Sequence, residues 1–217
     1  KAALRQVKTD QNAERLPSDL YQHMSASDDP YEIASQIVRA SIQSMEDLMC
    51  VLDREQFNGA VNALLSAHRV GFYGVGDAAI VAESAYHKFS RMGTLCTSSN
   101  DPDIQLIQAS QLQKGDACVL ISHSGRSRTT VNTARRAREM GATVISITNY
   151  PYSQLARLSD CVLTTASFME HSGEVITKRI SELVLVESLF ISVMLRGGGA
   201  YQTALARSNE ALVENKL

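Results

Sequence analysis

Two hydrophobic periods share this chain. Some segments place apolar residues at helical spacing; others gather them in short, nearly continuous blocks. Residues 30–49 carry Ile33, Ile37, Ala40, Met45, Leu48 and Met49 on one broad face. That is a helix, capped by Asp29 and opened by Pro30. A second helix is predicted from Asp53, with Gln56 in capping-box spacing, and ends near His68. Five short strands follow: RVGFYG (69–74), TLCTS (94–98), ACVLIS (117–122), TVISIT (143–148) and DCVLTT (160–165). Between them the pattern predicts helices at 78–91 and 101–111, one from the HSGRS segment to Met140, and a short one through Leu158. A long apolar helix spans about 174–196 and stops at Gly197-Gly198-Gly199. A last helix covers about 200–214.

Regular alternation of strand and helix implies an α/β fold with a parallel sheet covered on both faces. Right-handed crossovers make it doubly wound, and the expected order is the flavodoxin-like 2-1-3-4-5, with flanking helices. Ligands of such sheets sit beyond the carboxyl ends of the strands, where the order reverses. Here that point lies between strands one and three. Those strands run into GVGDAA and SHSGRS, the loops richest in Gly and Ser. Pattern and topology nominate one pocket.

Composition narrows the class. The 217 residues are 44% hydrophobic and 20% charged, enough apolar material for a core, so disorder along the whole chain is excluded. The net charge of −2 makes this stretch alone a poor nucleic-acid binder. Absence of Trp and 6% aromatics argue against a stacking surface for single strands. No apolar run reaches membrane-spanning length. Residues 1–29 are polar, with four positive and five negative side chains. They read as the end of a preceding helix plus a linker, leaving 30–217 as the folded domain. The chain starts at Lys1 without Met and reads as a fragment or a processed chain.

The loop Ser122-His123-Ser124-Gly125-Arg126-Ser127 is the most informative segment. Three hydroxyls stand within six residues, just before a helix. Gly125 permits a tight turn, and a helix N-terminus offers free N–H groups and partial positive charge. Together they can hold a phosphate without a lysine. The competing reading is one Ser as an ordinary N-cap and the others filling a turn. GVGDAA lacks the third glycine of a dinucleotide fingerprint, so no nicotinamide cofactor is expected. Cys50, Cys96, Cys118 and Cys161 are far apart, which fits small hydrophobes in a reducing compartment and no metal.

GVGDAAIVAESAYHKFSRMG and ISHSGRSRTTVNTARRAREMGATVISITN resemble the sugar isomerase (SIS) domain and its Ser-x-Ser-Gly-x-Ser/Thr loop. The span of about 30–210 resembles more specifically the effector domain of RpiR-type bacterial transcriptional regulators. The resemblance implies a phosphosugar ligand held by Ser122, Ser124 and Ser127, with backbone donors at Gly125 and Arg126. From the first loop Gly76 and Ala78 would contribute; Ala78 stands where the family often has Ser, so either that contact is backbone only or the ligand differs. Glu174 is near the place of a catalytic acid in isomerase SIS domains, although the plainer reading is a Glu complementing a helix N-terminus. His123 and His171 could each touch a sugar hydroxyl or simply face solvent.

The expected function is therefore a phosphosugar sensor that controls DNA binding by an N-terminal helix-turn-helix domain not contained in this sequence. The alternative is an aldose–ketose phosphosugar isomerase. No cofactor and no catalytic residue are expected. The protein is expected in the cytoplasm as a homodimer or tetramer, because helices 30–50 and 200–214 need a partner surface. Lys88, Arg91 and the run Arg135, Arg136, Arg138 read as solvated faces.

Overall fold

A computed structural model describes residues 29–166, 170–171, 174–175 and 178–215. Residues 1–28, read above as helix end and linker, lie outside the described residues. Helix α1 (Pro30–Val51) opens where expected, with Asp29 accepting from the Tyr31 N–H at 3.2 Å. Helix α2 (Arg54–Ser66) is capped by Asp53, which accepts from the Glu55 and Gln56 N–H groups at 2.8 and 2.9 Å. Gln56 does not close the capping box. Its side-chain oxygen instead accepts from the Val162 N–H at 2.8 Å, tying α2 to a strand at the sheet edge.

The alternating core follows: β1 (Arg69–Tyr73), α3 (Asp77–Arg91), β2 (Leu95–Ser99), α4 (Pro102–Ser110), β3 (Ala117–Ile121), α5 (Arg128–Glu139), β4 (Thr143–Thr148), a 3-10 turn (Ala156–Leu158) and β5 (Cys161–Thr164). All five strands pair in parallel, in the order β2-β1-β3-β4-β5. This is the expected doubly wound sheet, with element ends shifted by one or two residues.

The region after β5 departs from expectation. Glu174 was placed at the head of a helix, but it lies on a short strand β7 (Glu174–Val175), antiparallel to β6 (Glu170–His171), with His171 opposite Glu174. Helix α6 begins only at Lys178 and runs to Arg196. The physical reason is in the sequence. Val175 opens the β-branched sequence Val-Ile-Thr, which has poor helix propensity. Helix α7 (Gly199–Val213) closes the chain.

The sheet separates two cores. Val70, Phe72, Val119, Ile121, Ile145, Ile147 and Leu163 pack on α2, α3 and α6. Tyr73, Cys118, Leu120 and Val144 face the other side, against α4, α5 and Leu155. Strand side chains alternate between these layers, as the pleat requires. Cys118 and Cys161 are buried and Cys96 half-buried, as small hydrophobes; Cys50 is exposed. Lys88 and Arg91 are not merely solvated. Lys88 pairs with Glu187 of α6 at 2.5 Å and lies over the Phe190 ring, and Arg91 donates to Asn209 of α7. Arg135, Arg136 and Arg138 do stay on an exposed face of α5. No single helix among the described residues is long and apolar enough to cross a membrane.

Candidate functional site

Strands β1 and β3 are neighbours, and both end at the same edge of the sheet. Gln105 of α4, fully buried, donates to the Gly74 carbonyl at 2.7 Å and the Ser99 carbonyl at 2.8 Å. It thereby holds the ends of β1 and β2 together. Gly74 lets α3 approach the end of β1: a Cβ there would stand 2.6 Å from the Ala78 carbonyl oxygen.

The loop after β3 is held from below by its backbone. The His123 carbonyl accepts from Asn149 N–H at 3.0 Å and from the Thr148 hydroxyl at 3.1 Å. Gly125 donates to the Ser122 carbonyl and its own carbonyl accepts from Leu155 N–H, both at 3.0 Å. Gly125 sits at φ +60°, and a Cβ there would lie 2.0 Å from the Ser153 hydroxyl oxygen, so only glycine fits. Ser124 makes a short local turn, accepting from Arg126 N–H at 3.3 Å. Among the described residues, Ser122 and Ser127 spend no side-chain hydrogen bond on the protein.

Helix caps sharpen this. Helices α1, α2 and α4 are each capped by an Asp side chain. Helices α3 and α5 begin at Gly76 and Ser127 with no side-chain cap. Their first N–H groups are therefore left for another acceptor. Both N-termini border one cavity of about 340 Å³, lined by Val75, Asp77, Ala78, Ile121, Ser122, His123, Ser124, Ser127, Lys178 and Glu182.

Of the candidates read from sequence, Ala78, Ser122, His123, Ser124 and Ser127 come together on this wall. Gly76 and Gly125 shape the two loops without lining the cavity. Arg126 belongs to an adjacent cavity of about 600 Å³, with Ser124, Tyr150 and Arg157 among its walls. Glu174 is on β7.

Three charged residues of the cavity wall, Asp77, Lys178 and Glu182, were missed. Asp77 opens α3 and pairs with Lys178 at 3.3 Å and Arg179 at 2.8 Å. Those hydrogen bonds, Arg179 first, hold its carboxyl below the usual range. Glu182, one turn beyond Lys178, is buried, and burial pushes its carboxyl up to about 7 against the pull of Lys178 and Arg179. An acid inside the apolar run ISELVLV was the available signal. Among the described residues no three His, Cys, Asp or Glu side chains gather to hold a metal.

A model of the SIS domain matches residues 63–192. The chain belongs to the SIS domain family. It is an SIS domain of the kind carried by RpiR- and HexR-type HTH regulators. The HTH-type transcriptional regulator HexR of Pseudomonas aeruginosa is 33% identical over 90% of this chain and 68% of its own length. RpiR of Escherichia coli is 26% identical over 84% of this chain and 61% of its own. Among solved structures, the NanR protein of Vibrio vulnificus complexed with ManNAc-6P shares the fold of this SIS domain. Its TM-score is 0.79 at 24% identity, covering 90% of this chain and 72% of that one. Chains described as sugar-phosphate isomerases share the fold too.

Proposed function

We propose that this SIS domain binds a phosphosugar effector and controls DNA binding by an N-terminal helix-turn-helix domain. The observation that carries the reading is the uncapped start of α5, beside unspent hydroxyls of Ser122 and Ser127, at the sheet's switch point. A phosphate dianion satisfies N–H groups and hydroxyls at once, and the helix dipole favours it. Gly125, whose N–H is spent on the Ser122 carbonyl, contributes the turn, and Arg126 contributes its N–H by exchanging the long bond to Ser124 Oγ for the phosphate; Gly76 and Ala78 contribute backbone from the first loop, and His123 faces the sugar. Glu174, on β7 ahead of α6 in the chain, is included in the ligand's surroundings on its resemblance to the acid of isomerase SIS domains. The relatives' regulator names and the ManNAc-6P bound to NanR support this assignment.

The protein works in the cytoplasm as a homodimer or a dimer of dimers. Support comes from α1, which exposes Val38, Ile42 and Met49, and from α7, which has no buried residue. A two-fold partner covers such faces with one contact type.

The test is a thermal-shift comparison. A phosphosugar raises the melting temperature of this chain and its unphosphorylated sugar does not. Equal shifts from both remove phosphate from the reading.

Glu182 gives the isomerase alternative its one specific support, since a carboxyl near 7 suits proton transfer at an enediol. We assign no catalysis. Turnover of a phosphosugar that vanishes in Glu182→Gln or Glu174→Gln reverses that assignment.

A further inference from the structure

Glu182 is the most deeply buried charged side chain in the cavity wall. It is 2% exposed, and its Oε1 has no hydrogen-bond partner among the described residues. Its neighbours are engaged elsewhere: Lys178 and Arg179 pair with Asp77, and Ser181 meets the Ser44 hydroxyl at 2.6 Å. Leu185 and Val186, which follow it on α6, are core. A buried carboxyl with an unsatisfied oxygen destabilises a fold. One that lines an open cavity can be satisfied there by what enters.

We propose that Glu182 hydrogen-bonds a hydroxyl of the sugar moiety, and so separates polyhydroxylated phosphate esters from phosphate alone. The proposal rests on the reading of Ser122–Ser127 as the phosphate site and extends it to the other end of the ligand. A neutral hydroxyl fits better than an ammonium. Lys178 lines the same wall one turn earlier and Arg179 stands next to it, so a ligand cation would enter beside two positive charges. A hydroxyl also serves both protonation states: it donates to the carboxylate and accepts from the acid.

The test is calorimetric titration of the 217-residue chain with inorganic phosphate, glycerol 3-phosphate, hexose 6-phosphates, pentose 5-phosphates and glucosamine 6-phosphate. The tightest-binding sugar phosphate without an amine then goes to Glu182→Gln and Glu182→Leu, with melting temperature measured in parallel. We expect Glu182→Leu to lose tenfold or more in sugar-phosphate affinity. Inorganic phosphate should stay within twofold, and the melting temperature should be equal or higher. Glu182→Gln, which keeps an acceptor and the shape, should lose less. A merely structural role would lower stability and both affinities together, and that result overturns the proposal. So does unchanged sugar-phosphate affinity in Glu182→Leu, or tighter binding of glucosamine 6-phosphate than of glucose 6-phosphate. If phosphate binds and no sugar phosphate binds more tightly, the Glu182 proposal alone falls. If neither phosphate nor any ester binds the unaltered chain, the serine-loop reading falls first and takes this one with it.

Discussion

Lys178 at the start of α6 reaches Asp77 at the start of α3, with 3.3 Å between Nζ and Oδ2. Arg179 takes the other carboxylate oxygen at 2.8 Å. The pair joins two elements that wall the same cavity, and it places one negative charge where an anion is to bind. An arriving phosphate competes with Asp77 for the two cations and is repelled by the carboxylate. Asp77→Asn removes the repulsion and weakens the hold of one partner on each cation. Its affinity for inorganic phosphate should rise several-fold, most at low salt, where such interactions are least screened. Weaker binding in titration would mean that Asp77 serves the ligand by positioning Lys178 instead.

Ser127 occupies an N-cap position yet makes no capping hydrogen bond. Replacing a working Ser cap with Ala costs about 1 kcal/mol of stability. Ser127→Ala should therefore change unfolding stability by less than roughly 0.5 kcal/mol, against that usual cost. Phosphosugar affinity should fall by about 1.5–3 kcal/mol, the scale of a hydrogen bond to a charged group. Ser124→Ala should weaken binding on the same scale. Urea unfolding and titration on the same samples separate the two effects; a stability loss without an affinity loss assigns Ser127 to the helix alone.

The buried carboxyl of Glu182 has a signature in pH. Its folded value is raised to about 7, above the ordinary carboxylate value. Between those values the folded state holds a proton that the unfolded state has released. Stability contributed by this group is thus full at acid pH and is lost as pH rises toward 7, by roughly 2–4 kcal/mol. Asp77, held low by its cations, acts oppositely and only in the acid range. Comparing the unaltered chain with Glu182→Gln isolates the effect: the difference in unfolding free energy between pH 5 and pH 8 should shrink in the variant. Parallel pH profiles would show that the carboxyl titrates normally.

Much of this was legible along the chain, for identifiable reasons. The strands read cleanly because β3 is buried on both faces and wholly apolar, and β4 carries the β-branched run Val144, Ile145 and Ile147. The serine loop read cleanly because glycine and hydroxyls stand at a strand end. The opening of α6 did not. Its apolar periodicity continued backward through Val175 and Ile176, and periodicity alone does not distinguish a β-branched strand from a first helical turn. Asp77, Lys178 and Glu182 escaped because their meeting depends on α3 and α6 packing side by side, a relation between segments a hundred residues apart. Gln56 satisfied a local capping pattern and was used in tertiary structure instead.

The exposed stripe on α1 carries the last prediction. Tyr31, Val38, Ile42 and Met49 recur at intervals of seven, four and seven, so they share one helix face, with Val38 57% and Met49 74% exposed. Such a stripe beside an otherwise well-buried core is what a partner surface looks like before the partner is added. The same protomer exposes Leu195 at the far end of α6, whose beginning supplies Lys178 and Glu182 to the cavity. One rigid helix therefore runs from the candidate site toward exposed apolar surface, the arrangement a ligand needs if it is to shift one subunit against another. Light scattering at micromolar concentration should give a dimer or larger. Val38→Glu with Ile42→Glu should give a folded monomer, because both side chains already face solvent within the protomer and their loss opens no core cavity. A monomeric unaltered chain, or a double variant that keeps its assembly, would remove α1 from the interface and break the proposed route from pocket to partner.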